Sequence, residues 1–254
     1  MTIGLKELTQ YLQEFLQPEK FHDYCPNGLQ VEGRANINRL VTGVTANQAL
    51  IDQAIAWGAD AILVHHGYFW KGEAPQLVGM KRRRLAALLG SDISLIAYHL
   101  PLDAHPELGN NACFGRVLGA MGVEPLEPLR SDALACIGSL EKPQSIADIA
   151  ARLTRETGRE PFYIGGGASE MVQRIAWCTG AAQDCIDAAV MANADLYVTG
   201  EVSEQTVHTA REEGIHFLAA GHHATERYGV QAVGEHLADR FDIEHRFVDI
   251  DNPV

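Results

Sequence analysis

Leu5, Leu8, Leu12 and Leu16 recur at helical spacing and predict an amphipathic helix over 5–16 that stops before Pro18. A turn-rich stretch, CPNGLQVEGR at 25–34, follows. LVTGV (40–44) is a β-branched apolar run and predicts a strand. Asn47 then suits the N-cap of a helix whose apolar face is Leu50, Ile51, Ala54 and Ile55, with Gly58 at the left-handed C-terminal position. ADAILV (59–64) is a second buried strand running into His65-His66-Gly67. A Leu- and Ala-rich helix is expected at 80–90, a third strand at ISLIAY (93–98) ending at His99, and a helix over about 107–120.

Two prolines and a shift in composition at 124–132 place a domain boundary there, giving units 1–124 and 125–254. A small strand–helix–strand unit is expected at 131–167, ending in the glycines 165–167, which read as a flexible joint. They are not a phosphate loop, because no helix start or Lys-Ser/Thr follows. From Gln173 the first pattern returns. A shift of 135 superposes Arg39 on Arg174, Ala46 on Ala181, Gln48 on Gln183, Ile51-Asp52 on Ile186-Asp187, Ala54 on Ala189 and Ala59-Asp60 on Ala194-Asp195. Eight identities fall in the 29 positions 38–66, against about two by chance at ordinary composition. Gly58 meets Asn193, and both tolerate the left-handed cap. At a shift of 123, His99-x-x-x-Asp103 meets His222-x-x-x-Glu226. The expected fold class is therefore α/β, two related lobes forming an internal pseudo-repeat. The change of shift puts an insertion in GYFWKGEAPQLVG after His65-His66, either a pocket wall or lid or a packed surface loop.

Charge narrows the function. Lys and Arg total 20 against 33 Asp and Glu, a net −13. That balance argues against non-specific nucleic-acid or membrane-surface binding and leaves room for cations. The one basic run, Lys81-Arg82-Arg83-Arg84, reads as a solvated helix face. No stretch approaches the ~18 consecutive apolar residues of a membrane span, and the first residues lack a signal-peptide core. Five cysteines, none in a C-x-x-C pair, suggest free thiols in a reducing cytoplasm.

Open α/β sheets carry ligand sites at the carboxyl ends of their strands. Four segments here end a strand with metal-competent residues: His65-His66, His99 with Asp103, Thr199-Gly200-Glu201, and His222-His223 with Glu226. Imidazole with carboxylate suits zinc, iron, manganese or nickel. The absence of cysteine there argues against a closed structural zinc site. Adjacent strand histidines point to opposite faces and would most naturally hold two ions, with Asp103 and Glu226 as candidate bridges. Five ligands on two divalent ions leave positions for water, a nucleophile near neutral pH. His222 is preferred over His223 because its spacing to Glu226 repeats His99 to Asp103. His99, His105 and Glu201 are candidates for orienting or acid–base roles.

NGLQVEG (27–33), HHG (65–67), YHLPLDAHPELGNN (98–111), VTGE (198–201) and GHHATER (221–227) resemble the signature segments of the Nif-three-like family, in order and over nearly the whole chain. Its members are often labelled GTP cyclohydrolase 1 type 2 homologues, and the match is closest to the short bacterial YbgI-type branch. The resemblance implies a dinuclear metal centre between two α/β lobes, with His65, His66, Asp103, His222 and Glu226 as ligands, in a homohexameric ring. It brings no settled activity. The expected function is a cytoplasmic metal-dependent hydrolase acting on a nucleotide-like or other small polar substrate, with Glu201 or His99 moving the proton. The alternatives are a metal storage or delivery protein and a ring-shaped nucleic-acid-binding module.

Overall fold

The computed structural model describes residues 2–127, 134–166 and 169–254. In helix Leu5–Leu16 the four leucines are buried as one stripe, and Gln17 leaves the helix in the left-handed region at φ 50° before Pro18. Asn47 caps helix Gln48–Trp57 by accepting from the Leu50 amide at 2.9 Å. Gly58 closes that helix at φ 73°, its N–H on the carbonyls of Ala54 and Ile55.

The chain divides into two compact units, one running up to Gly109 and including Gly229–Asp251, the other Asn110–Tyr228 with Asn252–Val254. The first is built on a five-stranded sheet in the order Glu244–Phe247, Arg39–Thr45, Ala61–His66, Ser94–Ala97 and Gly28–Val31. The first four strands are parallel and the last antiparallel. Its strands read as unbroken apolar runs because both faces are covered. Ala61 and Leu63 face a core with Leu8, Leu12, Val233 and Leu237. Ile62 and Val64 face Leu50, Ile51, Ala54 and Leu88.

The second unit carries a six-stranded sheet in the order Met121–Pro125, Cys136–Ser145, Met171–Trp177, Leu196–Thr199, His216–Ala219 and Phe162–Ile164. Three parallel strands, from Met171–Trp177 to His216–Ala219, are flanked by antiparallel ones. The segment expected as a separate strand–helix–strand unit is thus part of this sheet. Its strands pair with Met171–Trp177 and His216–Ala219, and Ile149 and Leu153 of helix Ile146–Thr157 pack with Trp177 and Leu218. Residues 128–133 of the expected boundary and Gly167 of the expected joint lie outside the described residues.

The boundary expected at 124/125 is corrected to 109/110, with a return at 229. Helix Asn110–Leu118 belongs to the second unit because Phe114 and Leu118 enter its core and Trp177 Nε1 donates to the Asn111 carbonyl at 2.9 Å. Met121–Pro125 pairs with Cys136–Ser145, so the prolines mark a connection within one sheet. Near the other end, Val230, Val233 and Leu237 bury in the first core, and Glu244–Phe247 pairs with Arg39–Thr42. Apolar pattern cannot show which sheet a final helix and strand rejoin.

Both units use one registration device. Leu40 lies opposite Ala61 and, 135 positions on, Ile175 lies opposite Leu196. Asp60 Oδ2 accepts from the amides of Asn38 and Arg39 at 2.7 and 2.9 Å. Asp195 Oδ2 does the same for Gln173 and Arg174 at 2.9 and 2.8 Å. The third strands depart from the expected alignment. Ala61 faces Ser94 while Leu196 faces His216, an offset of 122 rather than 123. By register His99 therefore matches Gly221, one residue short of His222. Among the described residues no helix is long and apolar enough to cross a membrane.

Asp60→Ala should lower the denaturant midpoint at unchanged slope by the equivalent of about 2 kcal/mol, because two strand amides lose their acceptor. Asp195, which is exposed, should cost clearly less, since water replaces it. Equal losses at the two positions would contradict this account.

Candidate metal centre

Strand Ala61–His66 ends in two imidazoles. His65 is fully buried, and its Nδ1 lies 3.1 Å from the Tyr98 carbonyl on the neighbouring chain segment. A carbonyl only accepts, so Nδ1 carries the hydrogen and Nε2 keeps its lone pair. That Nε2 faces Asp103 Oδ1 at 3.5 Å. His66 Nδ1 lies 3.1 Å from the Thr45 hydroxyl, supplied by the residue paired with it across the sheet. The two rings do not diverge as mid-strand neighbours would. Their centroids are 4.5 Å apart because the strand ends there. His99 joins them: one ring nitrogen from each of His65, His66 and His99 falls within 4.8 Å of the others.

His99 precedes the short helix Leu100–Ala104, which carries the buried Asp103. Its Nδ1 is 2.7 Å from Asp23 Oδ1. Burial pushes the Asp23 carboxyl up, but hydrogen bonds and charge from His99, with further bonds from Asn27 and the Leu100 amide, hold it down at about 2. The segment after Gly67 packs its first aromatic, Tyr68, on the body and leaves residues 71–80 exposed. Gln30 Oε1 accepts from the Tyr68 amide at 2.7 Å and its Nε2 donates to the Tyr68 carbonyl at 3.1 Å. The Tyr68 hydroxyl donates to the Ala46 carbonyl at 2.7 Å. Lys81 ties the segment from its far side, to Glu73 at 3.2 Å and to the Ala74 carbonyl. Trp70 stands edge-on to His99 at 5.0 Å and 6.0 Å from His66.

In the second unit three strand ends come together, with Gly200 N–H on the Gly180 carbonyl and Gly221 N–H on that of Gly200. His222 opens the short helix His222–Thr225. Its Nδ1 lies 2.6 Å from Glu201 Oε1 and its Nε2 3.1 Å from Glu226 Oε2. Burial alone would pull this imidazole down, but the Glu226 and Glu201 carboxylates outweigh it and hold it up to about 9. Two carboxylates thus favour the charged form of a part-buried ring. His222, rather than His223, is the ring placed between them. Gly180 lies beneath at φ 71°, and a Cβ there would overlap Glu226 Oε1.

Each unit therefore brings its own expected ligands together: His65, His66 and Asp103 in the first, His222 and Glu226 in the second. Glu201, expected to hold a proton or water, is the hydrogen-bond partner of His222. His105 lies elsewhere, its Nδ1 accepting the Leu108 amide at 3.1 Å and its ring 4.4 Å from Phe15. Sequence reasoning missed Asp23, Asn27, Thr45 and Gly180. Asn27 opens the NGLQVEG segment and Asp23 lies four residues before it, but no spacing ties either to His99.

The family model for Duf34/NIF3 (NGG1p interacting factor 3) matches residues 3–253. The chain belongs to the Duf34/NIF3 family. It is 56% identical over 254 residues, the whole of both chains, to the GTP cyclohydrolase 1 type 2 homolog of Pseudomonas aeruginosa. It is 52% identical over 251 residues, 98% of each chain, to the protein of that name from Escherichia coli K12. The solved structure of protein ybgI, described as of unknown function, matches at a TM-score of 0.94 and 50% identity, covering 99% of this chain and 100% of its own. Clusters of His and carboxylate able to hold metal are thus a feature of this NIF3 chain.

Gly180→Ala should leave the NIF3 chain folded but displace Glu226, and divalent-metal uptake by equilibrium dialysis should fall at least tenfold, the scale of disturbing a ligand's support. Undiminished uptake would contradict the packing described. Asp23 gives a pH signature. Its depressed carboxyl adds stability above the unfolded value of about 3.9, lost as pH falls toward 2. Asp23→Asn should be less stable by roughly 2 kcal/mol at pH 7, and the gap to wild type should close between pH 4 and 2. A gap constant through that window would show that Asp23 acts other than through its charge.

Proposed function

We propose that the chain binds two divalent ions of the zinc, iron, manganese or nickel class through His65, His66, Asp103, His222 and Glu226, and is a hydrolase of nucleotide-like or other small polar substrates. The observation that carries this reading is the anchoring of all three ligand imidazoles through Nδ1, on the Tyr98 carbonyl, the Thr45 hydroxyl and the Glu201 carboxylate. Metal-binding histidines are oriented in this way by a protein oxygen on the other nitrogen. The donors fit hard-to-borderline cations: imidazole nitrogens with two buried carboxylates and no thiolate among them. Two such ions supply Lewis acidity and lower the pKa of water toward neutrality.

The chain's own residues do the remaining work. Asp103 and Glu226 provide the negative charge that offsets buried cations. Glu201 fixes the His222 ring. His99, with Nδ1 on Asp23 and a ring nitrogen within 4.8 Å of those of His65 and His66, is the proton carrier of this reading. Trp70 covers His66 and His99 on one side. The name shared by the relatives makes GTP the first substrate to test. The family resemblance further implies a cytoplasmic homohexamer, which light scattering checks; a monomer at micromolar concentration contradicts that part.

Elemental analysis of fully loaded protein should give two ions per chain. Asp103→Ala and Glu226→Ala should each lose at least one while remaining folded. Wild-type metal content in alanine variants of all five ligands would overturn the assignment. Glu201→Gln should weaken metal binding roughly 10–100-fold through His222. His99→Gln should keep the metal but lose roughly 10²–10⁴ of the hydrolytic rate. Fully loaded wild type that turns over neither GTP, other nucleotides nor simple phosphoesters would favour metal storage or delivery instead.

A further inference from the structure

Asp23 and Asn27 lie far from the His99–Asp103 turn in sequence, yet their side chains converge on it. Asp23 Oδ1 accepts from His99 Nδ1 at 2.7 Å. Its Oδ2 accepts from the Leu100 amide at 3.0 Å and from Asn27 Nδ2 at 2.9 Å. Asn27 Oδ1 accepts from the His99 amide at 2.7 Å. The Asp23 side chain is only 4% exposed, so these donors replace the water it gave up on folding.

The helix that receives these bonds is five residues long and cannot hold itself. The first amides of a helix have no partner within it. Here His99 provides no side-chain cap, and residue 101 is proline, which has no N–H. Asp23 and Asn27 take the place of a local cap. The same two side chains therefore fix the His99 ring, through Nδ1, and the start of the helix that bears Asp103 one turn on, through the Asp103 amide on the His99 carbonyl at 3.2 Å.

We propose that Asp23 and Asn27 are positioning residues, a carboxylate–carboxamide clamp that sets the His99 ring and the Asp103 carboxylate relative to His65 and His66. This rests on the metal-binding reading above. The clamp requires opposite hydrogen-bond character at its two positions. Asp23 is acceptor only, and Asn27 both donates to it and accepts from the backbone. An amide at position 23 facing the amide of Asn27 places donor against donor. Exchanging the two residue types restores one donor–acceptor match.

The test uses the full chain with Asp23→Ala, Asn27→Ala and the exchange Asp23→Asn with Asn27→Asp. Hydrogen exchange over 98–104 is read on metal-free protein, and cobalt(II) affinity and visible spectrum on titration. Both alanine variants should exchange faster over 98–104, bind cobalt(II) roughly 10–100-fold more weakly, and shift its visible bands. The exchanged pair should recover most of each effect. Folded alanine variants with wild-type exchange and cobalt(II) affinity within about twofold would overturn the clamp, as would an exchanged pair no better than the single variants. If Asp23→Ala does not fold, Asn27→Ala and the exchanged pair decide. If wild type takes up no cobalt(II), the metal reading fails while the hydrogen-exchange arm still decides the clamp.

Discussion

An imidazole can offer a lone pair in a fixed direction only when its other nitrogen is held with its hydrogen in place. That requirement organises the strand ends of both units. Tyr98 offers its carbonyl to His65 because the strand before it runs parallel to Ala61–His66 and ends beside it. Thr45 reaches His66 because the preceding parallel strand ends in register with it. Glu201, just past the end of Leu196–Thr199, meets His222, just past the end of the adjacent parallel strand. Parallel pairing delivers each proposed ligand and its anchor at the same sheet edge.

The same edges concentrate a cost. Asp103 and Glu226 are 6% and 3% exposed, and carboxylates so buried need compensating positive charge. Beside Glu226 a proton on His222 can supply it, since Glu226 and Glu201 hold that imidazole up at about 9. Metal ligation at Nε2 requires that nitrogen without its proton, so uptake and deprotonation are linked. The glycines beneath the ring follow from the same crowding. At Gly200 a Cβ would come within 2.9 Å of the His222 amide nitrogen, and at Gly180 it would strike Glu226.

Much of this was legible in the sequence because it is local. The Asn47 and Gly58 caps, the leucine stripe of the first helix and the apolar strand runs depend on neighbours within a few positions. The likeness of the two strand pairs was legible because Asp60 and Asp195 perform one task in two places. The five proposed ligands stood out because they cluster at strand ends, in the segments that carry the family resemblance. What was lost is long-range. Asp23 and Asn27 act across more than 70 residues, and the final helix and strand rejoin the first unit through pairings that hydropathy does not encode. The one-residue slip at the third strand escaped because His99 and His222 align by letter while the sheet registers one position earlier.

Anomalous diffraction from crystals of the zinc-loaded protein decides whether the anchored rings bind metal. Ions should be coordinated by Nε2 of His65, His66 and His222, with each Nδ1 still on Tyr98, Thr45 and Glu201. Ions bound through Nδ1 of these rings, or held elsewhere on the chain, would contradict that arrangement.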